Sequence, residues 1–215
     1  MADYLSEEEQ VAAIKSWWAE NGTSLIIGVT LVIAAVVGYR WYQDNRQDEA
    51  NAAAELYQSY LAELDRSGDA EDSEALASLL ARVDQELPDT AYQTFTLFYR
   101  AKASVEKEDY DSAIGHLESA VSSSDGYLIH DLALIRLAKV YQQVERQDDA
   151  LASLNKVNGK GYISVAEELK GDIHRLSGDM KLAHEAYQKA ADLTENLSQR
   201  PLLEIKLNNT VATNE

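Results

Sequence analysis

The chain has 215 residues, 46% of them apolar, with 37 acidic against 19 basic side chains for a net charge of −18, and no cysteine. These numbers exclude disulfides, thiolate metal sites, a cysteine nucleophile and a cysteine-linked lipid anchor, and a surface this acidic repels nucleic acid. With two prolines, ten glycines and abundant Ala, Leu, Glu and Gln, the fold class is all-α. The acidity suits a domain kept soluble by charge, and a basic partner protein is the sharper reading of it.

In chain order, residues 1–20 form an acidic tail with a short amphipathic helix. Ser6-Glu7-Glu8-Glu9 has the pattern of a capping box, and Val11, Ile14 and Trp18 follow at helical spacing. Nineteen uncharged residues then separate Glu20 from Arg40, and the core Leu25–Gly38 is interrupted only by Thr30. At ~1.5 Å per residue this stretch spans about 28 Å, close to the hydrocarbon thickness of a bilayer. Trp17 and Trp18 on one side, with Tyr39, Trp41 and Tyr42 on the other, suit interfacial belts in contact with membrane lipid. Residues 21–42 are therefore predicted to form a single transmembrane helix. The acidic flank before it and the lack of a small-x-small site after it argue against a cleavable signal. Thr30, Ala34 and Gly38, four apart, would make a groove for another membrane helix. One basic residue (Lys15) precedes the span and two (Arg40, Arg46) follow, so charge alone slightly favours a cytoplasmic C-terminal domain.

From residue 43 to 207 the chain reads as helix after helix, with turns at Ser67-Gly68-Asp69, Leu87-Pro88-Asp89, Lys107-Glu108-Asp109, Ser124-Asp125-Gly126, Gln147-Asp148, Gly159-Lys160-Gly161 and Ser177-Gly178-Asp179. Thr90 and Gln93 are placed as a second capping box. A repeat emerges when the helices are stacked. Ala101, Ala138 and Gly171 each precede a small residue by twelve (Ala113, Ala150, Ala183). Leu117, Leu154 and Tyr187 come four later, then Ala120, Val157 and Ala190, with intervals of 37 and 33 residues between copies. Small residues at the first two positions let paired helices approach, and the larger ones fill the space between pairs. The pattern resembles the tetratricopeptide repeat, so the expected architecture is one transmembrane helix followed by a tetratricopeptide-like α-solenoid. Helices near 46–66 and 73–87 would form an atypical leading pair, Ser198–Leu207 a capping helix, and residues 208–215 a frayed tail.

Chemistry is sparse. His116, His130, His174 and His184 show no metal-ligand spacing, and no nucleophile elbow, phosphate loop or dinucleotide fingerprint is present. Carboxylate pairs such as Asp148-Asp149 fall at helix caps. The expectation is a non-enzyme with no cofactor, no metal and no small-molecule substrate. Tyr92, Phe95, Phe98 and Tyr99 recur at helical spacing and suit core packing; Tyr92, Phe95 and Tyr99 are also the candidates for partner-binding aromatics.

The run EEEQVAAIKSWWAENGTSLIIGV, followed by GYRWYQ, resembles the YfgM-type ancillary subunits of the SecYEG translocon. The likeness continues through Asn158-Gly159-Lys160-Gly161-Tyr162 to LEIKLNN. It implies a bacterial inner-membrane protein with a cytoplasmic N-terminus and a periplasmic repeat domain, the reverse of the weak charge asymmetry. It further implies partnership with the translocon and with a membrane-anchored periplasmic prolyl-isomerase-type chaperone. A membrane-tethered scaffold of another envelope assembly, in cell division or outer-membrane biogenesis, would share these features.

Overall fold

No proline interrupts the chain before Pro88, and the first helix is correspondingly long: α1 runs unbroken over Glu7–Ser67. The computed structural model describes residues 7–67, 74–124, 126 and 128–211. The sequence divides the stretch to Ser67 into an interfacial helix, a span and a first domain helix; all three are segments of α1. Asn21-Gly22 lies within it, and the Trp18 indole packs where a Gly22 side chain would stand. The capping box at Ser6 falls outside the described residues. Two compact units divide the chain, Met1–Ala54 and Glu55–Glu215, the boundary falling within α1.

In the second unit α1 contributes buried Leu56 and Tyr60. It is followed by α2 (Glu74–Glu86), α3 (Ala91–Glu106), α4 (Tyr110–Ser123), α5 (His130–Gln143), α6 (Gln147–Leu154), α7 (Ile163–Leu176), α8 (Met180–Asp192) and α9 (Pro201–Val211). No strand occurs among the described residues. Helices α3/α4, α5/α6 and α7/α8 are the three repeats. All twelve repeat-position residues are buried, which is what close helix approach at Ala101, Ala138 and Gly171 requires.

The turn inside each pair is the same motif three times over. Glu108 (φ 60°), Glu145 (φ 60°) and Gly178 (φ 85°) adopt the left-handed conformation. The next residue's amide closes the turn on a carbonyl five back: Asp109 to Ser104 at 2.9 Å, Arg146 to Tyr141 at 2.8 Å and Asp179 to His174 at 2.9 Å. This Schellman geometry satisfies carbonyls left open at the helix end. At the start of α3, Thr90 Oγ1 accepts from the Gln93 amide at 3.3 Å, while Gln93 Oε1 accepts from the Asp89 amide at 2.9 Å.

A polar network fastens α9 to the last repeat. Lys206 Nζ donates to Glu168 Oε1 at 2.8 Å and to Asp172 Oδ2 at 2.7 Å; Arg200 pairs with Glu168 and donates to Ser164 Oγ at 2.7 Å. The segment expected to fray from Asn208 is helical to Val211. Thr210 is buried, and its hydroxyl lies 3.1 Å from His184 Nδ1. Residues 212–215 lie outside the described residues.

Beside this network, buried Glu167 accepts from Lys170 Nζ and Lys189 Nζ, each at 2.9 Å. Burial raises its pKa, but the two ammonium hydrogen bonds outweigh that and hold the carboxyl below its usual range. A depressed folded-state pKa contributes stability above the ordinary value of 4.5, and the contribution is lost as pH falls through the folded value. The melting temperature of the wild-type chain is therefore expected to fall more steeply on acidification below that value than that of Glu167→Gln. Parallel acid slopes in the two proteins would contradict the assignment.

Candidate functional site: a membrane span and an aromatic groove

Two features carry potential for recognition, one in each unit. In the first unit, α1 carries the one stretch among the described residues long and apolar enough to cross a membrane. Its large aliphatic side chains from Leu25 to Val37 are exposed, as are Trp17, Trp18, Tyr39, Trp41 and Tyr42. A water-facing helix would not display so continuous an apolar surface. Trp18 and Tyr39 are 21 residues apart, about 32 Å along a helix, which matches a bilayer core. Polar groups one turn on contact the two tyrosines that follow the stretch. Gln43 Nε2 donates to Tyr39 Oη at 3.1 Å, Arg46 Nη1 donates to Tyr42 Oη at 3.1 Å, and the Arg46 guanidinium lies 5.7 Å from the Tyr42 ring centre. Thr30, Ala34 and Gly38 share one exposed face, and a side chain at Gly38 would meet nothing within 4 Å.

Placing a charge at the middle of the span tests its environment. Val32→Arg is expected to cost about 2.5–3.5 kcal/mol of insertion free energy and to shift much of the chain into the alkaline-extractable fraction. Leu202→Arg, on the exposed face of α9, is expected to leave extraction unchanged. Equal behaviour of the two variants would contradict a membrane span.

In the second unit, the end of α1 meets α3 through an aromatic cluster. The Tyr57 ring centre stands 5.2 Å from that of Tyr92 and 6.2 Å from that of Phe95, and Tyr60 meets Tyr99 edge-on at 6.3 Å. Burial, then the neighbouring Tyr99 and Tyr92 phenols, push the Tyr57 hydroxyl up to about 12, so it stays neutral at physiological pH. Tyr57, Tyr92, Phe95, Phe98 and Tyr99 line a hollow of about 440 Å³, which Lys102 and Arg136 complete. The Arg136 guanidinium lies over the Phe98 ring at 4.2 Å from its centre.

Of the aromatics singled out in the sequence, Phe98 is core, Tyr92 and Phe95 are half-buried hollow wall, and Tyr99 is 39% exposed at its edge. Sequence reasoning missed Tyr57 and Tyr60, whose three-residue spacing near the end of α1 was the available signal. It also missed Lys102 and Arg136, which nothing in a helical pattern marks as groove residues.

Two of the histidines have local hydrogen-bond partners. His130 Nδ1 lies 3.1 Å from the Val121 carbonyl and 3.4 Å from Ser124 Oγ, His184 bonds Thr210, and His174 is half-buried. His116 borders a polar surface hollow with Arg100 and Glu118. No group of three potential ligands able to hold a metal occurs among the described residues. Among the described residues the arrangement offers apolar and aromatic binding surface.

The ancillary SecYEG translocon subunit of Haemophilus influenzae is 28% identical over 97% of this chain and 100% of its own length. That of Escherichia coli K12 is 28% identical over 97% of this chain and 98% of its own. That of Aggregatibacter actinomycetemcomitans is 29% identical, with coverage of 97% and 100%. Among solved structures, the crystal structure of MamA protein superposes with a TM-score of 0.51 at 17% identity, covering 73% of this chain and 81% of that one, a likeness of fold alone. The tetratricopeptide repeat-like domain family matches residues 15–212, from within the N-terminal helix to beyond the last repeat. The chain belongs to the tetratricopeptide repeat-like domain family, and along nearly its whole length it is similar to ancillary SecYEG translocon subunits.

Proposed function

We propose that this chain is a non-enzymatic, membrane-anchored adaptor associated with the SecYEG translocon. Its repeat domain lies on the periplasmic side of the inner membrane and brings a membrane-anchored prolyl-isomerase-type chaperone to newly translocated chains. The observation that carries the reading is the end-to-end similarity to proteins named for that association, with the apolar stretch of α1 included in the alignment. The span supplies the lateral contact: Thr30, Ala34 and Gly38 give a face of small side chains on which another membrane helix can pack closely. The groove wall of Tyr92, Phe95 and Tyr99 supplies the partner contact, with aromatic side chains as anchors.

The test is co-purification of the full-length chain from membranes in mild detergent, with a second chain in which residues 21–42 are replaced by an unrelated apolar span. The wild-type chain is expected to recover translocon subunits together with a periplasmic chaperone, and the replaced chain to lose the translocon. Recovery of cell-division or outer-membrane assembly proteins instead would overturn this function in favour of a scaffold.

A further inference from the structure

The aromatic hollow does not end at Arg136. A second hollow of about 350 Å³ adjoins it and shares Phe98, Lys102 and Arg136, so the two form one trough along α3 and α5. The floor of the second part is apolar, with Ala101, Val105, Leu117 and Val140, and Lys139 joins the cations at its edge. Lys102, Arg136 and Lys139 are all exposed. Lys102 reaches Glu106 at 3.3 Å, while Arg136 and Lys139 stand in no ion pair among the described residues. Three cations against one carboxylate reverse the sign of a chain whose net charge is −18.

The placement follows the repeat. Lys102 comes directly after Ala101, and Lys139 directly after Ala138, 37 residues on, so one repeat position carries a cation in two successive pairs. The third copy carries Asp172, already bonded to Lys206 Nζ at 2.7 Å and to the Tyr187 hydroxyl at 2.8 Å. The cationic row is therefore two repeats long and lies beside the part of the groove with an apolar floor.

We propose that this trough docks an acidic segment of a partner polypeptide, one that seats an aromatic or large aliphatic side chain beside Tyr99 and Phe98 and sets carboxylates against Arg136, Lys139 and Lys102. In an extended segment every second side chain faces the trough, so the matching carboxylates stand two or four residues apart. The proposal rests on reading the repeat domain as a protein-docking module. The rest of the acidic surface repels such a segment, so the trough fixes where it lands.

The experiment uses the full-length protein in detergent and three fluorescein-labelled twelve-residue peptides, each with a central Phe flanked by four Glu, four Ser or four Lys. Anisotropy is expected to show the Glu peptide binding about tenfold more tightly than the Ser peptide, with the advantage shrinking as salt rises. In Arg136→Glu/Lys139→Glu, checked for unchanged helicity, the order of Glu and Lys peptides is expected to invert. Equal affinity for Glu and Ser peptides, no binding of the Glu peptide, or unchanged Glu-peptide binding by the double variant would each overturn the proposal. Co-purification with translocon subunits is independent of these peptides, so its persistence beside a failed peptide result would reject the docking chemistry and leave the adaptor function standing.

Discussion

Replacing Gly171 with alanine is expected to destabilise the repeat domain by about 2–3 kcal/mol, read as a lower urea midpoint with an unchanged slope. An alanine Cβ would stand 2.4 Å from Cε1 of Tyr187 and 3.0 Å from its Cγ, and turning the ring about its axis would move Cε1 but not Cγ, which lies on that axis. Tyr187 is 0% exposed, its hydroxyl donates to Asp172 Oδ1 at 2.8 Å, and Lys206 Nζ lies 5.9 Å from its ring centre. The alanine gains about 1 kcal/mol of helix propensity over glycine, which the overpacking outweighs. Helices α7 and α8 must separate, or the tyrosine must abandon its hydrogen bond. Combining Gly171→Ala with Tyr187→Leu is expected to cost less than the sum of the two single changes, because each relieves the other. A midpoint at or above that of the wild type for Gly171→Ala would contradict this packing.

Asp131→Ala is expected to cost about 2 kcal/mol by the same measurement. Asp131, in the first turn of α5, is buried, and its carboxylate accepts from the Asn158 amide at 3.2 Å and the Gly159 amide at 2.7 Å. It thereby ties the loop after α6 to the start of α5. Charge-assisted hydrogen bonds of this kind are stronger than neutral ones, and their removal leaves two amides without that acceptor. Gly159 has a steric reason as well: a Cβ there would stand 2.2 Å from Asp131 Oδ2. Gly159→Ala is expected to reproduce much of the Asp131→Ala loss, and combining the two should add little. Full additivity would contradict the shared contact.

The repeat was legible because its spacing is a packing requirement. Ala101, Ala138 and Gly171 are small where helices touch, and Leu117, Leu154 and Tyr187 are large where pairs stack, so a periodic pattern reports geometry. The apolar stretch between Trp18 and Tyr39 was legible for a comparable reason, since bilayer thickness fixes its length. The continuity of α1 was not. Charge and polarity change along Glu7–Ser67, and those changes suggest boundaries, but they leave the backbone hydrogen bonds untouched and no proline falls in the stretch. The groove was half legible. Tyr92, Phe95 and Tyr99 announce an aromatic face on α3, whereas Tyr57 and Arg136 reach it from other helices by tertiary contacts that no local pattern encodes. The Asp131–Gly159 contact was hidden likewise, because it joins residues 28 apart.

Photo-cross-linking in membranes asks whether one helix addresses the translocon while the repeat domain addresses a chaperone. A photoreactive residue is placed at Ala34 in one full-length chain and at Tyr99 in another. Cross-links are expected from position 34 to translocon subunits and from position 99 to a periplasmic chaperone. Cross-links from position 99 to cytoplasmic proteins, or none from position 34 to the translocon, would contradict that division of roles.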